Sequence, residues 1–122
     1  MITTARVKPW GKEAIIERNE EYCIKHLFID KGHRISLQYH KTKIEHMVVV
    51  RGEAHITITP KVNFPEETKD CFPGDCVTIP PEFIHRILGV TDVHIIEVAI
   101  PGTPDKTIRI EDDYGRVKGA TK

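Results

Sequence analysis

At 122 residues, the chain has the size of one domain with a single hydrophobic core, so one active site is expected. Lysine plus arginine and aspartate plus glutamate both number 18, so no net field attracts nucleic acid or an acidic membrane surface. No apolar run approaches the about 20 residues that span a bilayer, and residues 1–10 contain no hydrophobic signal segment. We therefore expect a cytoplasmic protein that binds neither nucleic acid nor a membrane.

The predicted elements are short strands separated by turn residues. Residues 22–30 are apolar and β-prone, and Lys31-Gly32 ends that strand. Residues 34–40 alternate strictly, with Arg34, Ser36, Gln38 and His40 on one face and Ile35, Leu37 and Tyr39 on the other. Alternation defines two faces without showing which is buried, so a polar lining of the interior and a solvated polar face are equally compatible with this strand.

The later elements continue the same pattern. Residues 46–50 are densely apolar, Arg51-Gly52-Glu53 is a turn and residues 54–59 alternate, which predicts a hairpin. Residues 60–73, with three prolines and mixed charges, predict a solvated loop. Residues 76–79, 84–88 and 93–100 supply further strands. Many short strands without a long helix predict an all-β sandwich or barrel.

Cysteine usage favours free thiols. Cys23, Cys71 and Cys76 are an odd number, which argues against a fully paired disulfide framework and is typical of a reducing compartment. A metal clamp by Cys71 and Cys76 is the alternative, although no second Cys or His pair follows at zinc-finger spacing.

Two spaced clusters within residues 32–85 predict a metal site. The first contains Gly32, Gln38, His40, Glu45 and Gly52, and the second contains Gly74, Pro80 and His85. Gln38 and His40 are two apart on one strand face, and Glu45 can return beside them after a short turn. Two imidazoles, a carboxylate and an amide oxygen suit one divalent ion such as Zn, Mn, Fe, Co or Ni, with positions left open for water or substrate.

This pattern resembles the two cupin motifs, which implies a double-stranded β-helix (jelly-roll) barrel. The sequence departs from those motifs at three positions: Gln38 replaces the usual first histidine, Glu82 a common glycine, and Gly89 the closing asparagine. The resemblance implies a single cupin domain over residues 1–122, with an N-terminal strand at 1–20, the barrel at 21–100 and a C-terminal tail at 101–122.

A narrower resemblance is to the type II mannose-6-phosphate isomerase cupin, which in many relatives follows a sugar-1-phosphate guanylyltransferase. The likeness runs from about Lys8 to Arg116. It is carried by these segments: Lys8-Pro9-Trp10-Gly11, Ser36-Leu37-Gln38-Tyr39-His40, Glu45-His46, Val48-Val49-Val50, Ile79-Pro80, His85-Arg86, Ile96-Glu97-Val98 and Ile108-Arg109-Ile110-Glu111-Asp112-Asp113-Tyr114-Gly115-Arg116.

That resemblance implies that Gln38, His40, Glu45 and His85 bind the metal and that mannose 6-phosphate is converted to fructose 6-phosphate. Relatives often carry His, His and Arg where this chain has Lys41, Thr42 and Lys43, and Trp where it has Met47. No glycine-rich phosphate loop occurs, so we do not expect this chain to make a nucleotide sugar.

An aldose–ketose isomerase needs a proton-transfer group and a phosphate anchor. We select Glu97 as the base, ahead of His33 and His46; an ion pair of Glu97 with Arg86 or Arg109 is the alternative. His46 should face away from Glu45, since neighbours on a strand point to opposite faces. For the phosphate we select Arg34 and Lys43, with Arg86 beside them and Lys43 also in a catalytic role. Ordinary solvated charge is the alternative for Arg34 and Lys43.

Several alternatives stay open. The pocket could belong to a non-catalytic sugar-binding cupin, or to another cupin enzyme such as a nucleotide-sugar ketoisomerase or an oxygen-using iron protein. Trp10 is interpreted as a packing anchor rather than a sugar platform. The tail at 112–116 could cap the barrel, bridge a partner or close over substrate. If Ile35, Leu37 and Tyr39 form an apolar outer stripe, a homodimer is expected.

Overall fold

Alternating apolar side chains along short strands build two antiparallel sheets in the computed structural model, which describes residues 5–117. No helix occurs among these residues. The strands are β1 Ala5–Lys8, β2 Gly11–Arg18, β3 Cys23–Ile29, β4 Leu37–Tyr39, β5 Ile44–Arg51, β6 Ala54–Thr59, β7 Glu67–Cys71, β8 Cys76–Ile79, β9 Ile84–Gly89, β10 Val93–Ile100 and β11 Ile108–Glu111. The outermost residues of the predicted N-terminal strand and C-terminal tail lie outside the described range.

The sheets confirm the predicted double-stranded β-helix. One sheet has six strands in the order β1-β2-β3-β10-β5-β8, and the other has five in the order β11-β4-β9-β6-β7. From β4 onward the chain crosses between the sheets at almost every connection, so neighbours within a sheet are distant in sequence. This crossing distinguishes the barrel from a stack of hairpins.

The interior changes character along the barrel. Val49 of β5 and Ile95 of β10 are register partners and lie in a buried apolar core, which also includes Leu27, Ile29, Met47, Ile56, Ile79 and Ile87. Burying each such side chain contributes about 1.5–3 kcal/mol. At the other end of the same two strands the inward positions are Glu45 and Glu97, both buried. One end of the barrel is therefore apolar and the other is polar.

The predicted hairpin at residues 46–59 is wrong. β5 pairs with β10 and β8, whereas β6 pairs with β9 and β7 in the other sheet. Gly52 has a φ of 85°, and a side chain there would collide with the carbonyl oxygen of Asp92. This glycine turn therefore moves the chain from one sheet to the other instead of folding it back along the same sheet.

Two further predictions are corrected. Residues 60–73, which were predicted to form a loop, contain the edge strand β7. The sequence pattern did not indicate a strand because four of its five residues are polar and exposed. Ile35 is buried in the core at 6 % exposure, so Ile35, Leu37 and Tyr39 do not form an outer stripe, and the dimer expected from that stripe loses its basis. The alternation fails because residues 34–36 precede β4 and are not part of a regular strand.

Cys23 and Cys71 are buried, Cys76 is exposed, and all three are free thiols. Within residues 5–117 there is no apolar helix of membrane-spanning length.

Glu82 occupies a conformation that suits glycine. Its φ is 69°, and its amide donates a 2.7 Å hydrogen bond to the His40 carbonyl, which fastens the turn after Pro80-Pro81 to the segment around His40. A residue with a Cβ loses about 1–2 kcal/mol in this left-handed region.

We expect Glu82→Gly to raise the free energy of unfolding by about 0.5–1 kcal/mol, because relief of strain exceeds the added entropy of the unfolded chain. Chemical denaturation measures this change. The control is Glu66→Gly, an exposed loop position without a positive φ, which should be neutral or destabilising. Equal effects of the two substitutions on the free energy of unfolding would show that the backbone at Glu82 is not strained.

Candidate metal centre

His40, Glu45 and His85 converge at the polar end of the barrel. His40 directly follows β4, Glu45 is the second residue of β5 and His85 the second of β9. Glu45 Oε2 lies 3.6 Å from His40 Nε2, and Glu45 Oε1 lies 3.3 Å from His85 Nε2. Among the described residues this is the one group of three such side chains whose ligand atoms all lie within 4.8 Å of one another. The fold thus brings together three of the four predicted ligands.

The hydrogen bonding of His85 tests whether a cation fits. Its Nδ1 lies 3.1 Å from the Phe83 carbonyl oxygen, which can only accept, so Nδ1 carries the proton and Nε2 of the neutral ring is an acceptor. That acceptor faces a carboxylate oxygen, and both atoms are buried without a hydrogen-bond partner. A proton or a metal ion between these two acceptors would relieve the contact, and of the two only a metal ion would also engage His40.

Gln38 lies beside this cluster. It is the Cα partner of His85 across β4 and β9, so the two side chains share the inner face of the sheet. The Ser36 hydroxyl donates a 2.6 Å hydrogen bond to Gln38 Oε1, which orients the amide and leaves that oxygen a second lone pair. The position therefore suits a fourth ligand, although the amide oxygen is a weaker one than the imidazole usual in cupins.

The electrostatic surroundings favour the ligand forms of His40 and Glu45. Burial lowers the pKa of His40, Glu45 opposes that change, and the charge of Lys43 adds to it. Burial alone would raise the pKa of Glu45, but the His85 and His40 imidazoles hold it below its usual value. Metal ligation needs a neutral imidazole and an ionised carboxylate.

The cluster opens into a cavity of ≈ 180 Å³. Glu97 and Lys43 both line it and are 8 % and 7 % exposed. Burial raises the pKa of Glu97 well above its usual value, and the nearby charge of Glu45 adds to that rise. Glu97 forms no ion pair with Arg86 or Arg109 within residues 5–117. The cavity therefore holds a buried carboxyl and a buried ammonium next to the candidate metal ligands His40, Glu45 and His85.

Two of the three predicted substrate cations lie elsewhere. The Arg34 guanidinium is ion-paired to Asp113, with Nε 2.6 Å from Oδ2 and Nη2 2.8 Å from Oδ1. Arg86 is buried and donates to the carbonyl oxygens of Ile35 and Glu111. Neither side chain lines the cavity. The selection of Arg34 and Arg86 is corrected, because each already has partners that hold the tail to the barrel.

The two other candidates for proton transfer, His33 and His46, lie outside the cavity. His33 is exposed and stacks near Tyr114, and His46 is exposed and hydrogen-bonds Thr78, so neither contributes to the cavity. Trp10 is 5 % exposed and belongs to the core cluster, as its interpretation as a packing anchor requires, and it also forms part of the cavity wall.

Apart from Lys43, the cations that line the cavity were not assigned from the sequence. Arg109 lies on β11 opposite Gln38 of β4, and Arg116 follows in the tail. Lys8 and Lys25 lie on the other wall, at 3.8 and 3.9 Å from Glu13 Oε1. The signal available was the Ile108–Arg116 tail in the family resemblance, but its placement depends on pairing between β11 and β4, about seventy residues apart in the chain.

We expect the protein to bind one divalent ion, and His85→Ala to weaken that binding by about 100-fold or more. The reason is that loss even of groups supporting a ligand costs about 10–100-fold in affinity. Metal titration calorimetry and elemental analysis after dialysis measure the change. His46→Ala, which removes a neighbouring exposed imidazole, should retain full metal content. Stoichiometric metal in the His85 variant would exclude this centre.

Sequence similarity to known proteins assigns the chain to a family. Residues 2–116 match the family model described as mannose-6-phosphate isomerase C-terminal. The chain is 31% identical over 114 residues to mannose-1-phosphate guanylyltransferase ManC of Salmonella typhimurium, covering 90% of this chain and 22% of that protein. It is 32% identical over 113 residues to alginate biosynthesis protein AlgA of Pseudomonas aeruginosa, covering 89% and 22%. The chain thus spans about a fifth of the length of these relatives.

Solved structures agree on the fold. Oxalate decarboxylase of Bacillus subtilis superposes with a TM-score of 0.78 at 18% identity, covering 88% of this chain and 30% of that one. CapF of Staphylococcus aureus, a capsular polysaccharide assembling protein, gives 0.77 at 22% identity, covering 91% and 34%. KdgF from Halomonas gives 0.72 at 18% identity, covering 81% and 88%. With its two crossing sheets and the match over residues 2–116, this chain belongs to the mannose-6-phosphate isomerase C-terminal family and has the cupin fold.

Proposed function

We propose that this domain is a metal-dependent aldose–ketose isomerase of a phosphorylated hexose, interconverting mannose 6-phosphate and fructose 6-phosphate. The observation that carries the proposal is the set of unpartnered buried acceptors on Glu45 and His85 beside a cavity that also contains Glu97 and Lys43. The family description supports the reaction, and relatives named for mannose-1-phosphate chemistry support the sugar.

The reaction defines what the cavity must supply. A proton leaves the carbon next to the carbonyl and returns to the neighbouring carbon, while negative charge develops on the sugar oxygens. A divalent ion held by His40, Glu45, His85 and Gln38 would supply Lewis-acid stabilisation of that charge. The protein's own groups must orient the sugar and move the proton.

Glu97 is placed to move the proton. It points inward from β10 into the cavity, and its register partner on the paired strand β3 is Lys25, whose charge opposes the rise in the Glu97 pKa. A carboxyl in this position is next to any substrate carbon that binds beside His40, Glu45 and His85. The assignment rests on this location, since His33 and His46 lie outside the cavity.

Lys43 provides fixed positive charge on the same side as His40. Its side chain is buried, and within the described residues it has no carboxylate partner. A buried ammonium that is not neutralised by the protein stabilises an oxyanion more strongly than the same group in water. In the proposed reaction Lys43 therefore holds a sugar oxygen and stabilises its developing charge.

The central test is a coupled assay of metal-loaded protein with mannose 6-phosphate. We expect Glu97→Gln to lower kcat by about 100- to 10,000-fold with KM changed little, because a proton-transfer group acts in the transition state. Exchange of the sugar C2 hydrogen with solvent deuterium should fall in parallel. Glu66→Gln, the same change at an exposed loop position, should leave both measurements unchanged.

The outcomes separate the alternatives. Saturable binding of mannose 6-phosphate without turnover or deuterium exchange by the wild-type protein would overturn the isomerase proposal in favour of a sugar-binding cupin. Oxygen consumption during a substrate screen would instead indicate an oxygen-using cupin enzyme.

A further inference from the structure

Arg109 differs from Lys8, Lys25 and Arg116 at the same cavity because no carboxylate is paired with it among the described residues. Its Nε is buried without a hydrogen-bond partner, and no carboxylate pairs with it within residues 5–117. Burial lowers the pKa of its guanidinium, and the positive charge of Arg116 lowers it further. A partly buried cation without a counter-ion costs free energy, so this position is suited to an anion that arrives from outside.

The neighbouring Arg116 does not share this property. Its Nε and Nη2 donate to the two carboxylate oxygens of Asp112 at 2.9 and 3.0 Å, so its charge is neutralised within the tail. Asp112 lies near Arg109 as well, but its bidentate geometry is committed to Arg116. Of Arg109 and Arg116, only Arg109 therefore has its guanidinium available for a ligand.

The sheet register aligns Arg109 with the candidate metal ligands Gln38 and His85. Arg109 of β11 is opposite Gln38 of β4, and Gln38 is opposite His85 of β9. Directly opposite residues point to the same face, so guanidinium, amide and imidazole line one face in that order. Two strand spacings separate the outer members of the row, which is about 9–10 Å between backbones.

This separation matches the length of a six-carbon sugar phosphate. In an extended hexose 6-phosphate the phosphorus lies about 8 Å from the first carbon, given bonds of about 1.5 Å. A sugar whose reacting carbons lie beside the His40, Glu45 and His85 side chains would extend along this row with its phosphate toward Arg109. A pentose 5-phosphate is shorter by one carbon and reaches both ends less well.

We propose that Arg109 is the phosphate-binding residue of this site and that the β11–β4–β9 register selects six-carbon 6-phosphates over shorter sugar phosphates. The length selection rests on the proposed isomerase function, whereas phosphate binding at Arg109 does not. A guanidinium suits this role, since it offers several donors in a planar fork that matches phosphate oxygens.

Access to Arg109 is from the tail side of the barrel. Arg109 also lines a second cavity of ≈ 530 Å³, whose wall carries Lys41 and Lys106. Asp105 is the opposing charge on this wall, and its carboxylate is held by the Thr42 hydroxyl at 2.9 Å and by the Lys106 amide at 2.7 Å. The balance of charge around Arg109 therefore remains positive and attracts an anion.

The first experiment measures binding of inorganic phosphate by calorimetry, without turnover. We expect Arg109→Met to weaken phosphate binding by about 30-fold or more, as expected for loss of a charge-assisted hydrogen-bonding partner, and Arg109→Lys to retain part of it. Arg51→Ala removes the same charge from an exposed strand end outside the cavities. This control should bind phosphate like the wild type.

A stability measurement distinguishes this role from a structural one. Because Arg109 lacks a counter-ion, Arg109→Met in the phosphate-free protein should leave the denaturation midpoint unchanged or raise it, and phosphate should no longer raise that midpoint. A lower midpoint in the Met variant together with unchanged phosphate affinity would overturn the proposal, as would equal loss of affinity in Arg51→Ala.

The second experiment tests the length selection with metal-loaded protein. We expect mannose 6-phosphate to bind at least about tenfold more tightly than ribose 5-phosphate, and Arg109→Lys to raise KM for mannose 6-phosphate much more than it lowers kcat. Equal affinities for the two sugars would overturn the length selection. Absence of turnover with retained, Arg109-dependent phosphate binding would overturn the isomerase proposal but leave the phosphate site standing.

Discussion

The conflict between two buried acceptors, Glu45 Oε1 and His85 Nε2, is the constraint on which the rest of this barrel depends. Each atom would be hydrated in water, and here each faces the other at 3.3 Å without a hydrogen-bond partner. Such an arrangement persists only where the surrounding structure fixes it, and a metal ion between the two atoms would relieve it. The apolar end of the barrel provides that fixation, since Val49 and Ile95 continue the strands that carry Glu45 and Glu97.

The tail is the second part of the site, although it follows the barrel in sequence. β11 adds to the edge of the five-stranded sheet beside β4, and the arginines that do not line the cavity hold it there. Arg34 binds Asp113 through two hydrogen bonds, and buried Arg86 donates to the Glu111 carbonyl. Exposed pairs such as Arg34–Asp113 contribute little to stability by themselves, but a bidentate geometry defines position well. Their effect is to place Arg109 next to Gln38.

The opposite wall of the cavity balances this charge in a different way. Glu13 is 8 % exposed and lies between Lys8 and Lys25, at 3.8 and 3.9 Å from their ammonium groups. Lys25 is the register partner of Glu97 and lowers the pKa that burial and Glu45 raise. On the β1–β3 wall of the cavity, the charged side chains are therefore ion-paired with one another. On the β11 wall, Arg109 has no paired carboxylate among the described residues, and the His40, Glu45 and His85 side chains lie between the two walls.

The sequence by itself determined the fold class, most strand positions and the group of side chains suited to a metal, because period-two alternation and the spacing of Gln38, His40, Glu45 and His85 are local properties. The strands at residues 76–79 and 93–100 have the predicted bounds. Only the tertiary structure decided which strands pair, and for that reason the hairpin at residues 46–59, the outer stripe containing Ile35 and the roles of Arg34 and Arg86 were misread. Whether an arginine reaches the cavity or holds the tail depends on register between β11, β4 and β9, and register is set by contacts between residues far apart in the chain.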